Sequence, residues 1–364
     1  MKFTFMNFRF VVFVVFLFGV SSFNLFSQTI HTQWLDLNPL IYVDSLPKYI
    51  SKTKSIAVVV AKNREDGQNL AHLFHPIFIK SGIDPVSYYH VDDLFANAFI
   101  SKKLSEEFVK RDIKYMVVLS NQQRGYEIVI TPFSKSESFI NAGGKAWRMQ
   151  NIDAKIIGKA IYALSYSFER QNLLVVDQPE FRPINSPIKG QRLEAFKPDL
   201  RSETLYIPLF EKHVPDSTIV YSNEALANIT QHNNGVDQKN EELKSLFSEY
   251  PFPYSFIEGD LIPKELMKNN IRYVLDVVHT TNHDIRSVLN YKEKITGVTE
   301  YVTVSMDRGQ GKIKRISANA PTYKYYIKHL PSNSYYLGTK WDADLSWQEA
   351  LQNHIGLLVA EISR

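Results

Sequence analysis

Apolar positions along this chain fall into continuous runs and helically spaced sets. Ser55-Ile-Ala-Val-Val-Val-Ala61 and Asp112-Ile-Lys-Tyr-Met-Val-Val-Leu119 are continuous β-branched stretches. That is the pattern of strands buried on both faces. Leu70, Leu73, Phe74, Ile77 and Phe78 recur at helical spacing. They predict a helix that opens at Arg64 and closes at Gly82, with Pro76 as a kink or broken turn. Asp84-Pro85 turns into a short strand, Val86 to Val91, and Leu104 with Phe108 predicts a second helix over 102–111. After the central strand, Arg124-Gly125 folds the chain back into Tyr126-Glu-Ile-Val-Ile-Thr131 as an antiparallel hairpin. A loop with Gly143-Gly144 leads to Trp147. A long helix is predicted over 153–170, with Ile156, Ile157, Ala160, Ile161, Leu164 and Phe168 inward. Leu173-Leu-Val-Val-Asp177 is a further candidate strand.

The pattern then returns. Asn270-Ile-Arg-Tyr-Val-Leu-Asp-Val-Val278 repeats the order seen at Asp112: polar residue, Ile, cation, Tyr, apolar run. Leu205 to Pro215 matches Ile41 to Ile50 loosely, and Thr218-Ile-Val-Tyr221 stands for the first strand. After a polar insertion over 228–235 come a helix over 238–248, a strand over 252–257 and a short helix over 263–268. Trp147 aligns with Trp341, Ile157 with Leu351, Ile161 with Ile355 and Leu164 with Leu358 in a closing helix. Recurrence of several elements in one order points to duplication. Asp284 to Leu337 has no counterpart and predicts a β insertion, with a hairpin turn at Asp307-Arg-Gly-Gln-Gly311. The expected fold is therefore α/β: two tandem modules with mixed sheets, each of β-α-β-α-β-hairpin-α order. The divisions are 1–27, 28–177, a Pro-rich linker at 178–204, and 205–364.

The start has a different character. Lys2 and Arg9 precede the uncharged run Phe10 to Val20, and small Ser27 stands before Gln28. This is the layout of a secretory signal peptide cleaved after Ser27. The apolar run is shorter than the roughly 20 residues that span a bilayer, although retention as an anchor is the alternative. The formal net charge is +4. Cleavage removes Lys2, Arg9 and no acidic residue, leaving +2, too near neutral for a nucleic-acid footprint. There is no Cys, which excludes disulfides, thiolate metal sites and a lipid-modified N-terminal Cys.

The Phe-rich signal followed by Gln28 resembles those of Bacteroidota, which implies a periplasmic destination. The set Ile56-Ala-Val-Val, Asp112 to Val118, Tyr126-Glu-Ile-Val-Ile and a closing helix resembles the α/β module of the TolB amino-terminal domain. It is similar also to the periplasmic domain of the curli-secretion lipoprotein. The resemblance covers about 130 residues of the first half and is looser in the second. It implies a protein-binding envelope module and carries over no catalytic residue. TolB-like propeller repeats are absent.

Candidate chemistry is sparse. His72 and His75 lie three apart on a predicted helix near Glu65 and Asp66; zinc would need a further ligand, and two ordinary histidines are the alternative. Asp342-Ala-Asp-Leu-Ser346 begins like a calcium loop, but Trp347 and Asn353 stand where Gly and Glu are required. Ser346 with Glu349 makes a capping box instead. The Gly-Gly-Lys and Gly-Gln-Gly-Lys stretches lack P-loop spacing, and there is no Gly-x-Ser-x-Gly. No metal or cofactor is expected. His279, His283 and Asp284 stand where a strand ends, a usual place for a site. They are the candidates for catalysis; a solvated loop is the other reading. Tyr323, Tyr325, Tyr326, Tyr335 and Tyr336 form either a surface for protein or glycan contact or the inward face of a β region. The expectation is a non-enzymatic binding or scaffold protein with an envelope protein partner and no nucleic acid. A hydrolase or carbohydrate-active enzyme around His279, His283 and Asp284 is the alternative.

Overall fold

The computed structural model describes residues 35, 37, 40–122, 124–171, 176–184, 187–193, 199–258, 263–291, 297–307 and 310–363. The expected signal segment lies outside them, as do residues 173–175 of the candidate strand and residues 308 and 309 of the hairpin turn.

The fold is α/β, with two mixed six-stranded sheets. The first half runs β1 (Ile41–Tyr42), β2 (Lys54–Val60), α1 (Arg64–Ser81), β3 (Asp84–His90), α2 (Val91–Leu94) and α3 (Ala98–Lys110). It continues with β4 (Ile113–Gln122), β5 (Gly125–Pro132), β6 (Lys145–Asn151) and α4 (Ala154–Ser165). Its sheet has the order β1-β6-β5-β4-β2-β3. The second half runs β7 (Gln191–Leu193), β8 (Leu205–Pro208), α5 (Asn223–Phe247), β9 (Tyr254–Ile257), α6 (Pro263–Lys268), β10 (Tyr273–Thr281) and α7 (Asn282–Val288). It ends with β11 (Glu300–Asp307), β12 (Gln310–Ser317), β13 (Pro321–His329), β14 (Ser334–Tyr336) and α8 (Trp347–Ile362). Its sheet has the order β7-β14-β13-β10-β8-β9, and β11 with β12 forms a separate hairpin inserted into the repeat.

Strand for strand the two sheets match. Across each, the pairings read parallel, antiparallel, antiparallel, parallel, parallel. The entry to each central strand matches as well. Asp112 before β4 and Asn270 before β10 hold φ of 59° and 57°. Asp and Asn enter this left-handed region more readily than other side-chain-bearing residues, so the turn explains the polar residue at that point of the repeat.

Ladder register corrects several equivalences. With Tyr115 set against Tyr273, Leu205 falls on Ser55 and Ile207 on Ala57. Leu205 to Pro208 is thus the first strand of the repeat rather than its lead-in, and Thr218 to Tyr221 forms no strand. The polar stretch 228–235 is helical, because α5 already begins at Asn223, capped by Ser222. Trp147 on β6 pairs with Ile130 on β5, and the matching pair is Tyr336 with Ile327. Tyr336, not Trp341, is therefore the counterpart of Trp147. Trp341 lies in the segment between β14 and α8. On α4, Ile157 and Ile161 are buried as expected, whereas Ile156 and Leu164 face solvent. Helix α1 continues through Pro76 without a break and closes on Gly82 at φ 74°.

The stretch 178–204 belongs to both sheets. Phe181 bridges Tyr88 on the β3 edge of the first, and β7 is the outer strand of the second. One face of the first sheet packs Ala57, Val59, Val117 and Ile130 on α1 and α4. One face of the second packs Leu275, Val277 and Tyr325 on α5 and α8. The opposite faces share one core, with Val58, Met116, Val118 and Val129 from one sheet and Val278, Tyr326 and Tyr335 from the other. Among the described residues no helix is long and apolar enough to cross a membrane.

Candidate site at the junction of the two modules

Parallel strands β2 and β3 end facing the end of β10, where open α/β sheets place their ligands. Asn63 caps α1 by accepting the Asp66 N–H at 2.8 Å, which sets Arg64 on the first turn. Arg64 donates to both carboxylate oxygens of Asp93 on α2, at 2.5 and 2.6 Å. Thr280 on β10 donates to Asp93 Oδ1 at 2.7 Å and accepts from Arg64 Nη2 at 3.3 Å. A bidentate ion pair in the first half is thus completed by a hydroxyl from the second. Beside it, the His279 N–H donates to the Ala96 carbonyl at 3.0 Å. Asn97 caps α3 and donates to the Val277 carbonyl at 3.0 Å and to Asp276 at 3.1 Å. Tyr326 donates to the other Asp276 oxygen at 2.6 Å.

The charges here are perturbed in opposite directions. Burial would raise the Asp93 carboxyl, but the Arg64 charge and its hydrogen bonds outweigh that and hold it below the usual carboxylate range. Burial lifts Asp92 to about 6 against the pull of Arg64. Burial, then the Arg64 charge, pushes His90 down to about 4 and His279 down to about 3. Both imidazoles are neutral at pH 7. The His90 ring lies on the backbone of α1, where a Cβ on Gly67 would sit 2.2 Å from its Cε1.

Among the described residues no hydrogen bond joins the three catalytic candidates, although the His283 charge acts on Asp284. His279 is buried and stacked on Tyr323, with ring centroids 3.9 Å apart at 14°. His283 has Nδ1 3.4 Å from the Tyr301 hydroxyl. Asp284 accepts from Thr281 Oγ1 at 2.7 Å while its own N–H caps α7 on the same oxygen. A general base works best with a pKa near the operating pH, and His279 is far below it. Among the described residues no group of three or more His, Asp or Glu could hold a metal ion. His72 is exposed, while His75 is buried between the Tyr88 hydroxyl at 2.8 Å and the Val176 carbonyl at 2.6 Å.

The expectation of a tyrosine surface is corrected. Tyr323, Tyr325, Tyr326, Tyr335 and Tyr336 are all buried. Tyr335 accepts from Asn290 at 3.0 Å, and Tyr336 donates to Glu361. No ring face is left for a sugar, because β13 and β14 lie inside the sheet with helices or the shared core against them.

Sequence reasoning missed a second buried network. Lys324, between two of those tyrosines, is wholly buried and 2.5 Å from Asp342 Oδ1. It donates to the carbonyls of Tyr325 at 2.8 Å and Leu337 at 2.5 Å. His354 Nδ1 meets the other Asp342 oxygen at 2.9 Å. Burial lowers the Lys324 pKa, with Asp342 opposing. Ladder register places Lys324 on Glu127 of the first half, which pairs with Arg148 at 2.5 Å. The repeat keeps a charge at this position and reverses its sign. The signal was a lysine inside an aromatic strand, where burial requires an anionic partner. Ser346 does cap α8, accepting from the Glu349 N–H, but the Glu349 carboxylate accepts from the Ser346 hydroxyl rather than from its backbone N–H.

No protein-family model matches this sequence, and no curated protein matches it.

Proposed function

We propose that this is a secreted periplasmic, non-enzymatic binding or scaffold component of an envelope assembly. One observation carries the reading. The charged groups at the carboxyl ends of the parallel strands, where an α/β enzyme holds its reactive side chains, are spent on joining two repeats. Arg64, Asp93 and Thr280 satisfy one another across the junction. The apolar start at 1–27 supports the address, and the resemblance to envelope modules supports a protein partner. The test is crosslinking in whole cells followed by purification of the tagged chain. Recovery of a reproducible envelope protein supports the reading, and failure to recover any partner overturns it.

A hydrolase reading keeps one argument. His283 is only half-buried and adjoins Asp284, whose carboxyl burial pushes up. His283→Ala separates the two readings. Unchanged phenotype and unchanged partners leave the scaffold; loss of a hydrolytic phenotype with the partners kept favours the enzyme.

A further inference from the structure

The two halves differ at one edge. In the first sheet the outer strand β3 is covered by a strap from its own chain. The Tyr88 N–H donates to the Glu180 carbonyl at 2.8 Å, and the Arg182 N–H donates to the Tyr88 carbonyl at 3.2 Å. Phe181 bridges Tyr88 in parallel. Its ring packs on Tyr88 at 5.6 Å and on His90 at 5.0 Å. Six of the seven β3 residues are buried.

The matching strand of the second sheet is β9. Ala57 pairs with Tyr88 and Ile207 with Phe256, so Phe256 is the counterpart of Tyr88. Tyr88 turns its N–H and carbonyl to the strap, and Phe256 turns the same groups outward. Among the described residues, the ladder partner of β9 is β8 alone, and none reaches the outer backbone groups of Phe256. All four β9 residues remain partly exposed, in contrast to β3. The edge is aromatic as well. Tyr254 and Phe256 lie 5.7 Å apart, and Phe252 joins them through Tyr250. An unpaired edge carrying apolar side chains is a template for another strand. Backbone bonds would supply affinity and a side-chain seat specificity.

We propose that β9 is a peptide-docking edge. An extended segment of another protein, with an aromatic residue opposite Phe256, adds to the second sheet as a parallel strand. The strap at 180–182 is the internal precedent for register, direction and the aromatic anchor. The proposal rests on the binding reading above and names its surface. Pro251 and Pro253 limit the edge to four residues, so the docked segment is short and its affinity modest.

The probe is a synthetic peptide of residues 178–184, Gln-Pro-Glu-Phe-Arg-Pro-Ile, titrated into the full chain. Amide exchange at Phe256 and Tyr88 is the first readout, and fluorescence anisotropy of the labelled peptide the second. The expected result is slowed exchange at Phe256 with Tyr88 unchanged. Binding should weaken at least tenfold when the peptide Phe is replaced by Ala, or when the chain carries Phe256→Arg. Protection at Tyr88 alone, no protection, or full binding by folded Phe256→Arg overturns the proposal. So does self-association of the chain that Phe256→Arg abolishes, which would make β9 a homodimer edge. If the variant fails to fold, the amide readout on the unaltered chain decides. Envelope partners recovered equally by Phe256→Arg overturn strand addition and leave the scaffold reading standing. Peptide protection without any envelope partner overturns the scaffold reading alone.

Discussion

Replacing Asp93 with alanine leaves the Arg64 guanidinium in place without its carboxylate. The Arg64 side chain is 16% exposed and that of Asp93 7%, so the charge has little water to turn to. Removing one partner of a buried ion pair costs about 3–5 kcal/mol, chiefly through the uncompensated charge left behind. Arg64 keeps its bond to Thr280 and some solvent contact, which places Asp93→Ala near the low end, about 3 kcal/mol. Arg64→Met should cost a similar amount, because among the described residues the Thr280 hydroxyl is then the side chain still donating to Asp93. The double variant Arg64→Met with Asp93→Leu removes both charges and should lie within about 1 kcal/mol of the parent, since apolar replacement of a buried pair is often neutral. The assay is equilibrium urea unfolding at pH 7 of Asp93→Ala and of Arg64→Met, Asp93→Leu and their double variant, the last three closing a double-mutant cycle with the parent. Amide exchange at His279, whose N–H reaches across to Ala96, should accelerate in each single variant and recover in the double. A cost below about 1 kcal/mol for Asp93→Ala, or single costs that simply add, would refute a desolvated pair holding the halves together.

Further expectations follow from the same geometry. His279, held at about 3, and His90, held at about 4, bind fewer protons folded than unfolded below pH 6.5. Their contribution is therefore intact above 6.5 and is lost as pH falls toward 4. Asp92, raised to about 6, works the other way above its unfolded value of 3.8, as do Asp84 and Asp284, both raised by burial; burial lowers His329 and His354 alongside the first two histidines, so four groups stand against three. Denaturation midpoints should fall on acidification from pH 7 to 5, and His279→Gln should flatten that slope; an unchanged slope refutes the assignment. Gly67→Ala drives a methyl into His90 and should cost about 1–3 kcal/mol by thermal melting, relieved by His90→Ala in the same chain. Lys324→Ala leaves Asp342 buried beside His354 alone and should cost at least about 3 kcal/mol, whereas Lys324→Met with Asp342→Leu should recover most of it. Urea titration checks this pair, and equal losses in both variants would sink it.

The identities of the elements were legible in the chain because each records its own environment. The continuous run from Ser55 to Ala61 marked a strand covered on both faces, and β2 is one. Asp112 and Asn270 marked the polar start of an echoed run, and the structure gives both the same left-handed backbone. Strand β6 was not legible: Lys145 to Asn151 mixes polar and apolar residues, and what makes it a strand is its pairing with Tyr126 to Ile130 on β5. The five tyrosines were ambiguous for a related reason. Alternation shows that a strand has two faces, but not that both are covered.

What the sequence by itself determined was therefore local: strands, helices, caps, and the repeat of the order in which they come. Tertiary structure decided which residues lie opposite one another. It set Tyr336 rather than Trp341 against the role of Trp147, and it closed Arg64 on Asp93 and Thr280. It covered β3 with the strap and, among the described residues, gave β9 no second ladder partner. The physical reason is that periodicity reports only that a side chain avoids water. The partner it meets is chosen by ladder register and by packing between segments more than two hundred residues apart, as Arg64 and Thr280 are.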